Sequence, residues 1–149
     1  FFFTQKTASA ILSGLVGSEM CIRDSNNPNV AEIYEAYHPA VLQALSQVAK
    51  AGLQAGKPVS ICGELAGDPG AAILLMAMGY DSLSMSATNL LKVKSVLRGI
   101  SQAEAQELLS KVLDLCEIAD IHSAIDDLLE AKGITRLFGE RIKRRHLNS

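Results

Sequence analysis

The stretch 59-VSICGELAGDP-69 decides how this chain of 149 residues is organised. Residues 59–62 form a short run, rich in β-branched side chains and apolar at alternate positions, which predicts a strand. Helical patterns flank this strand on both sides, so we expect it to run parallel to its neighbour. Residues 63–67 form a turn bracketed by glycines, and Asp68 and Pro69 suit the N-cap and the first position of a helix. The stretch therefore predicts a strand, a turn and a helix in succession.

A second unit of the same kind follows along the chain. Residues 71–78 are almost wholly apolar and end at Gly79, which predicts a short helix buried against other elements. The next strand is predicted at residues 83–85. Ser86 or Thr88 is expected to cap the helix that comes after it.

Helices account for most of the remaining sequence. Upstream, apolar residues recur at three- and four-residue steps and predict two helical pieces that meet near Tyr37. The second piece is expected to begin at Pro39 and to end at a left-handed Gly56. Downstream, Ser101 and Glu104 form an S-x-x-E capping box at the start of another helix, and a last amphipathic helix follows.

The predicted order is helix, strand, helix, strand and three further helices, which indicates an α/β fold. Two parallel strands are too few for a stable sheet of their own, so we expect the chain to be a piece of a larger domain. Residues 1–25 are expected to be a non-native or disordered extension, because their second half resembles a translated sequencing adapter. We assign two βα units to residues 26–100, C-terminal helices to residues 101–133 and a basic tail to residues 134–149.

The composition limits the classes of function. With 14 Lys+Arg against 16 Asp+Glu, no global charge draws the chain to nucleic acid or to an anionic membrane. No apolar run reaches the roughly 18 residues of a membrane span. Cys21, Cys62 and Cys116 fit neither a zinc pattern nor a disulfide framework, which favours a reducing, cytoplasmic location. Cys116 is expected to be buried on an amphipathic helix.

The residues most able to carry chemistry surround Cys62. A cysteine at the carboxyl end of a parallel strand, followed by a glycine turn and a capped helix, lies where α/β proteins bind their ligands. The glycines allow close approach of the backbone to a ligand. A lone cysteine in a strand also fits a small buried apolar residue, so the motif by itself leaves both roles open. Glu64 suits either a site-orienting role or a turn cap, whereas Asp68 is expected to be a helix cap.

The three histidines give little indication of a functional role. His38, His122 and His146 are scattered along the chain, and we expect packing or surface roles for them. Neither a metal site nor a phosphoryl-carrying histidine is predicted from their positions.

Two motifs resemble a known family. Residues 59–69 and residues 79–86 (GYDSLSMS) closely resemble the phosphoenolpyruvate–protein phosphotransferases, which are enzyme I of the bacterial sugar phosphotransferase system and its nitrogen-related paralogue. The likeness covers residues 26–100. Residues 84–94 are more similar to the nitrogen-type paralogue.

The resemblance implies a fold and an activity. The two strands would be the seventh and eighth of a (β/α)8 barrel, with Cys62 at its catalytic mouth. Enzymes of this family transfer phosphate from phosphoenolpyruvate (PEP) to their own histidine and then to a histidine-bearing phosphocarrier protein. Cys62 matches the family's proton donor to pyruvate enolate, and a thiol with its usual pKa of about 8.5 can give and regain a proton near neutral pH. Gly63 and Glu64 are weaker candidates for contact with the substrate.

The resemblance also implies a cofactor, an assembly and a larger protein. Mg²⁺ would hold the substrate, with ligands from earlier barrel strands that this chain does not include, and the barrel would form a homodimer. The fragment alone is expected to be inactive. The family has Asp-Arg just before the position of Asn26, where this chain has Asp24 and Ser25, so no substrate contact is carried over to Arg23.

Two alternatives stay open at this point. A pyruvate,phosphate dikinase or PEP synthase shares the barrel and the role of the cysteine. A non-catalytic dimerisation or regulatory module is the second alternative. The helices after Gly99 fit the phosphotransferase better than the dikinase or synthase.

Overall fold

The computed structural model of the chain describes residues 35–134. The predictions for the extension at residues 1–25, for the helical piece before Tyr37 and for the tail beyond Ile134 lie outside the described residues. So does His146.

Five helices and two strands follow one another in residues 35–134. They are α1 (Pro39–Gln54), β1 (Ser60–Cys62), α2 (Pro69–Met78), β2 (Ser82–Ser84), α3 (Ala87–Gly99), α4 (Gln102–Leu113) and α5 (Ile118–Ala131). This order confirms the predicted α/β class and the predicted sequence of elements.

Local chemistry explains where α2 begins and ends. Oδ1 of Asp68 accepts hydrogen bonds from the backbone N–H groups of Gly70 (2.9 Å) and Ala71 (3.2 Å), and Pro69 occupies the first position. The helix ends at Gly79, whose φ of 93° lies in the left-handed region that a residue with a Cβ adopts at a cost. Both predicted boundaries are confirmed.

The two strands form a parallel sheet, as predicted. Ser60 pairs with Ser82, Ile61 with Leu83 and Cys62 with Ser84. β2 is therefore one residue earlier than the predicted 83–85, and β1 is one residue shorter than the predicted 59–62. At the position before the ladder, Val59 and Asp81 exchange two hydrogen bonds, one through the Asp81 backbone and one through its carboxylate.

Helix α2 lies at the centre of the core. Its segment from Ala71 to Leu75 is almost completely buried, because α1, α3 and α4 all pack around it. The remaining side of α2, at Gly70, is closed by Tyr37, which precedes α1, and by Ile125 of α5. A side chain at Gly70 would collide with both residues. The apolar sequence of α2 is thus explained by enclosure on all sides.

The prediction that Cys116 is buried on a helix is wrong. Helix α4 ends at Leu113 and α5 begins only at Ile118, so Cys116 lies in the connection between them and is exposed. Its neighbour Leu115 packs against the core instead. In residues 35–134, no helix is both long enough and apolar enough to cross a membrane.

Candidate functional site

An open pocket of about 220 Å³ lies at the carboxyl ends of the two strands. The turn after β1 and the segment after β2 form its walls. Its lining residues are Cys62, Gly63, Glu64, Ser84, Met85, Ser86 and Asn89. Parallel strands end at the same edge of their sheet, and α/β proteins bind ligands at that edge.

Cys62 is the last residue of β1 and lies opposite Ser84 in the ladder. Side chains alternate across a strand, and Ile61 takes the inward position with 7% of its surface exposed. The thiol of Cys62 is therefore on the outer face and is exposed.

Gly63 and Glu64 continue the wall of the pocket. Gly63 has a φ of 100°, so an L side chain there would be strained even though a Cβ meets no atom within 4 Å. Glu64 closes the turn through its backbone, because its carbonyl oxygen accepts from the N–H of Gly67 over 3.1 Å. The Glu64 side chain is exposed and lines the pocket.

Asp68 lies behind the turn rather than in the pocket. In addition to capping α2, its Oδ1 accepts a hydrogen bond from the hydroxyl of Tyr37. The predicted helix cap is confirmed, and Asp68 is not among the residues that line the pocket.

Four lining residues come from the second unit, and sequence reasoning did not select them as site residues: Ser84, Met85, Ser86 and Asn89. Ligands bind at the carboxyl ends of parallel strands, and this rule applies to the end of β2 as it does to Cys62. Ser84 to Ser86 could therefore have been predicted as site residues from the sequence. Asn89 lies in the first turn of α3, where the sequence pattern carries no comparable signal.

The histidines in residues 35–134 have other roles. Nδ1 of His38 accepts from the N–H of Ala40 at the start of α1. The ring of His122 contacts that of Tyr37 with a centroid distance of 4.5 Å. Within the same residues, no three or more His, Cys, Asp or Glu side chains gather closely enough to hold a metal ion.

Comparison with protein families shows which family this chain belongs to. The family described as the PEP-utilising enzyme, PEP-binding domain matches residues 19–102, which is more than half of the chain and includes every residue that lines the pocket. The chain belongs to the PEP-utilising enzymes. The family predicted from the motifs around Cys62 is therefore confirmed.

Relatives of this chain carry phosphotransferase names. It is 36% identical over 111 residues to the phosphoenolpyruvate-dependent phosphotransferase system protein of Salmonella typhimurium, covering 74% of this chain and 15% of that protein. It is 41% identical over 93 residues to the phosphoenolpyruvate-protein phosphotransferase of Lactococcus lactis, covering 62% and 16%. The enzyme of that name from Geobacillus stearothermophilus is 39% identical over 102 residues, covering 68% and 18%. The chain thus spans less than a fifth of the length of these relatives.

Proposed function

We propose that the chain is the part of a phosphoenolpyruvate–protein phosphotransferase that supplies the acid for pyruvate enolate, and that Cys62 is this acid. The observation that carries the proposal is the exposed Cys62 thiol at the carboxyl end of a parallel strand, in the pocket of a PEP-utilising domain. The phosphotransferase names of the relatives favour this function over a dikinase or synthase and over a non-catalytic module.

The proposed architecture is the end of a (β/α)8 barrel. β1 and β2 would be its seventh and eighth strands, followed by the C-terminal helices α4 and α5. The parallel pairing supports this, as does the position of α2 between the two strands in the chain. The proposed boundaries remain residues 26–100 for the barrel units and 101–133 for the helices, with the extension and the tail at either end.

The proposed reaction proceeds in two steps, the first at phosphorus and the second at carbon. Transfer of the phosphoryl group from PEP to a histidine of the complete enzyme breaks the bond between phosphorus and the enol oxygen and leaves pyruvate enolate. The Cys62 thiol then gives its proton to C3 of the enolate, which yields pyruvate and a thiolate. The thiolate regains a proton from water through the open side of the pocket.

Gly63 and Glu64 would assist at the same wall. The absence of a side chain at Gly63 leaves the backbone after Cys62 open to the ligand. The Glu64 carboxylate lies in the same pocket as the thiol and would orient the substrate.

Magnesium is the cofactor that this function implies. Mg²⁺ in phosphoryl-transfer sites is held octahedrally by one or two carboxylates, substrate oxygens and water. The pocket offers one carboxylate, Glu64, and residues 35–134 hold no cluster of three potential ligands. The described residues therefore do not fit a magnesium site by themselves. We assign its ligands to the earlier barrel strands of the complete enzyme.

The proposed partners follow from the phosphotransferase names. PEP and pyruvate are the small molecules, a histidine-bearing phosphocarrier protein is the acceptor, and the barrel forms a homodimer. A role in nitrogen regulation rather than sugar uptake is proposed from residues 84–94. Free thiols at Cys62 and Cys116 support a reducing, cytoplasmic location.

The decisive experiment compares two exposed cysteines in the complete enzyme that contains this chain. Cys62→Ala should slow pyruvate release, because the enolate loses its acid. Cys116→Ala should behave as the parent enzyme, since Cys116 lies outside the pocket. Equal pyruvate release from both variants would remove Cys62 from the acid role.

A further inference from the structure

The turn that follows Cys62 has an open side and a buried side. Cys62, Gly63 and Glu64 face the pocket, whereas Ala66 and Gly67 are buried. Two backbone hydrogen bonds connect these sides. The N–H of Gly67 donates to the carbonyl of Glu64, and the N–H of Asp68 donates to the carbonyl of Leu65. A shift of the buried side would therefore move the residues that face the pocket.

Asn89 of the second unit lies directly against this buried side. Its Nδ2, Cβ and Cγ atoms are 2.7, 3.4 and 3.5 Å from the position that a β-carbon on Gly67 would occupy. The missing side chain of Gly67 thus makes the space that the carboxamide fills. Asn89 is also one of the residues that line the pocket with Cys62.

The backbone of Asn89 is itself fixed. Asn89 lies in the first turn of α3, and its N–H donates to the carbonyl of Ser86 over 3.1 Å. Ser86 follows two residues after Ser84, the partner of Cys62 in the last pair of the ladder. The Gly67–Asn89 contact therefore joins the turn after β1 to the first turn of α3.

We propose that Asn89 is a positioning residue for Cys62. Its carboxamide fills the space left by Gly67, fixes the turn at residues 63–67 and so sets where the thiol stands in the pocket. The significance of Asn89 for catalysis rests on the proposed function of Cys62. The effect of Asn89 on the position of the thiol is independent of that function and can be measured without turnover.

The test uses the full 149-residue chain with Cys21→Ser and Cys116→Ser, so that Cys62 is the only thiol. The rate of alkylation by iodoacetamide is measured as a function of pH. Asn89→Ala and Gly67→Ala should each change the maximal rate by about threefold or more, since each disrupts the same contact. Lys92→Ala, an exposed change on the same helix, should leave the rate unchanged.

The double variant separates this contact from other effects of Gly67. Asn89→Ala removes the atom that a β-carbon at residue 67 would strike. The effect of Gly67→Ala should therefore disappear in the Asn89→Ala background. A Gly67→Ala effect that persists there, or a parental rate in Asn89→Ala, would overturn the proposal.

A nearly isosteric variant keeps the proposal testable if the alanine variants fold poorly. Asn89→Asp retains the shape of the side chain and places a negative charge beside the thiol. The pH of half-maximal alkylation should then move upward, because a nearby carboxylate disfavours the thiolate. An unchanged pH profile in a folded Asn89→Asp protein would overturn the proposal, because residue 89 would then have no influence on the thiol. If these results hold but Cys62→Ala leaves the complete enzyme unaffected, the proposed function fails and the positioning role stands.

Discussion

The hydroxyl of Tyr37 donates a hydrogen bond to Oδ1 of Asp68 across 2.5 Å. The two residues are 31 positions apart, and Asp68 uses the same oxygen to cap α2. Tyr37 itself is 5% exposed. A buried aromatic residue before α1 is thereby connected to the end of the turn that follows Cys62.

Tyr37→Phe should lower the free energy of unfolding by about 1.5–3 kcal/mol, the range for a hydrogen bond to a charged acceptor. Urea denaturation followed by circular dichroism measures the change. Tyr80→Phe is the matched control, because the Tyr80 hydroxyl donates to the neutral carbonyl of Leu45 over 3.2 Å. Its loss should cost only about 0.5–1.5 kcal/mol. If Tyr80→Phe cost as much as Tyr37→Phe, the charged character of the Asp68 bond would be refuted.

The amino ends of the two strands yield a second prediction. The carboxylate of Asp81 accepts from the N–H of Val59 over 2.8 Å, and the carbonyl of Val59 accepts from the N–H of Asp81 over 2.9 Å. Asp81→Ala removes the first bond and should destabilise the chain by about 0.5–1.5 kcal/mol. Amide exchange at Val59 should accelerate. Asp127→Ala, on an exposed position of α5, should leave that amide unchanged, and a protected Val59 in Asp81→Ala would contradict the prediction.

Glu104 predicts how stability depends on pH. Its hydrogen bond from Lys132, together with those from the backbone and hydroxyl of Ser101, lowers the pKa of its carboxyl from 4.5 to about 2. A pKa depressed by folding stabilises the protein above the unfolded value, and that contribution is lost as pH falls from about 4.5 to about 2. Acid titration of urea midpoints should therefore show a shallower decline for Glu104→Gln than for the parent.

Glu107→Gln on the same helix is the control for this titration, and its decline should match that of the parent chain. High salt should weaken the Lys132 contribution, because Glu104 and Lys132 are both accessible to solvent. A parental pH profile in Glu104→Gln at low salt would show that the carboxylate does not contribute.

The chain alone is predicted not to turn over PEP. Among residues 35–134, those that line the pocket include no Lys or Arg to hold the phosphate and the carboxylate of the substrate. Phosphoryl transfer from PEP to a phosphocarrier protein is the measurement. The Geobacillus stearothermophilus phosphotransferase serves as the positive control in the same assay. Transfer by residues 26–149 without any other protein would refute the prediction.

Local chemistry made part of this fold predictable. Asp68 and Gly79 define α2 through short-range bonds and a left-handed φ, so both boundaries could be derived from the sequence. Cys116 could not be placed in the same way. The apolar spacing of α5 begins at Ile118, but its N-cap, Glu117, makes no side-chain capping bond that would separate the helix from Cys116.

The site residues also differ in whether the sequence predicts them. Cys62, Gly63 and Glu64 follow from the rule that ligands bind at the carboxyl ends of parallel strands. Asn89 contacts Gly67 across 22 positions of the chain, and this contact exists only once two helices and two strands have packed. No pattern of hydrophobic spacing encodes it.

The Gly67–Asn89 contact has a consequence for the evolution of the family. Because a β-carbon at residue 67 competes with the amide at residue 89 for one volume, the two positions are not free to diverge independently. Lineages that acquire alanine at the first position should carry a smaller side chain at the second. Alanine at residue 67 alone would force the Asn89 carboxamide to move, because Nδ2 would lie 2.7 Å from the new β-carbon.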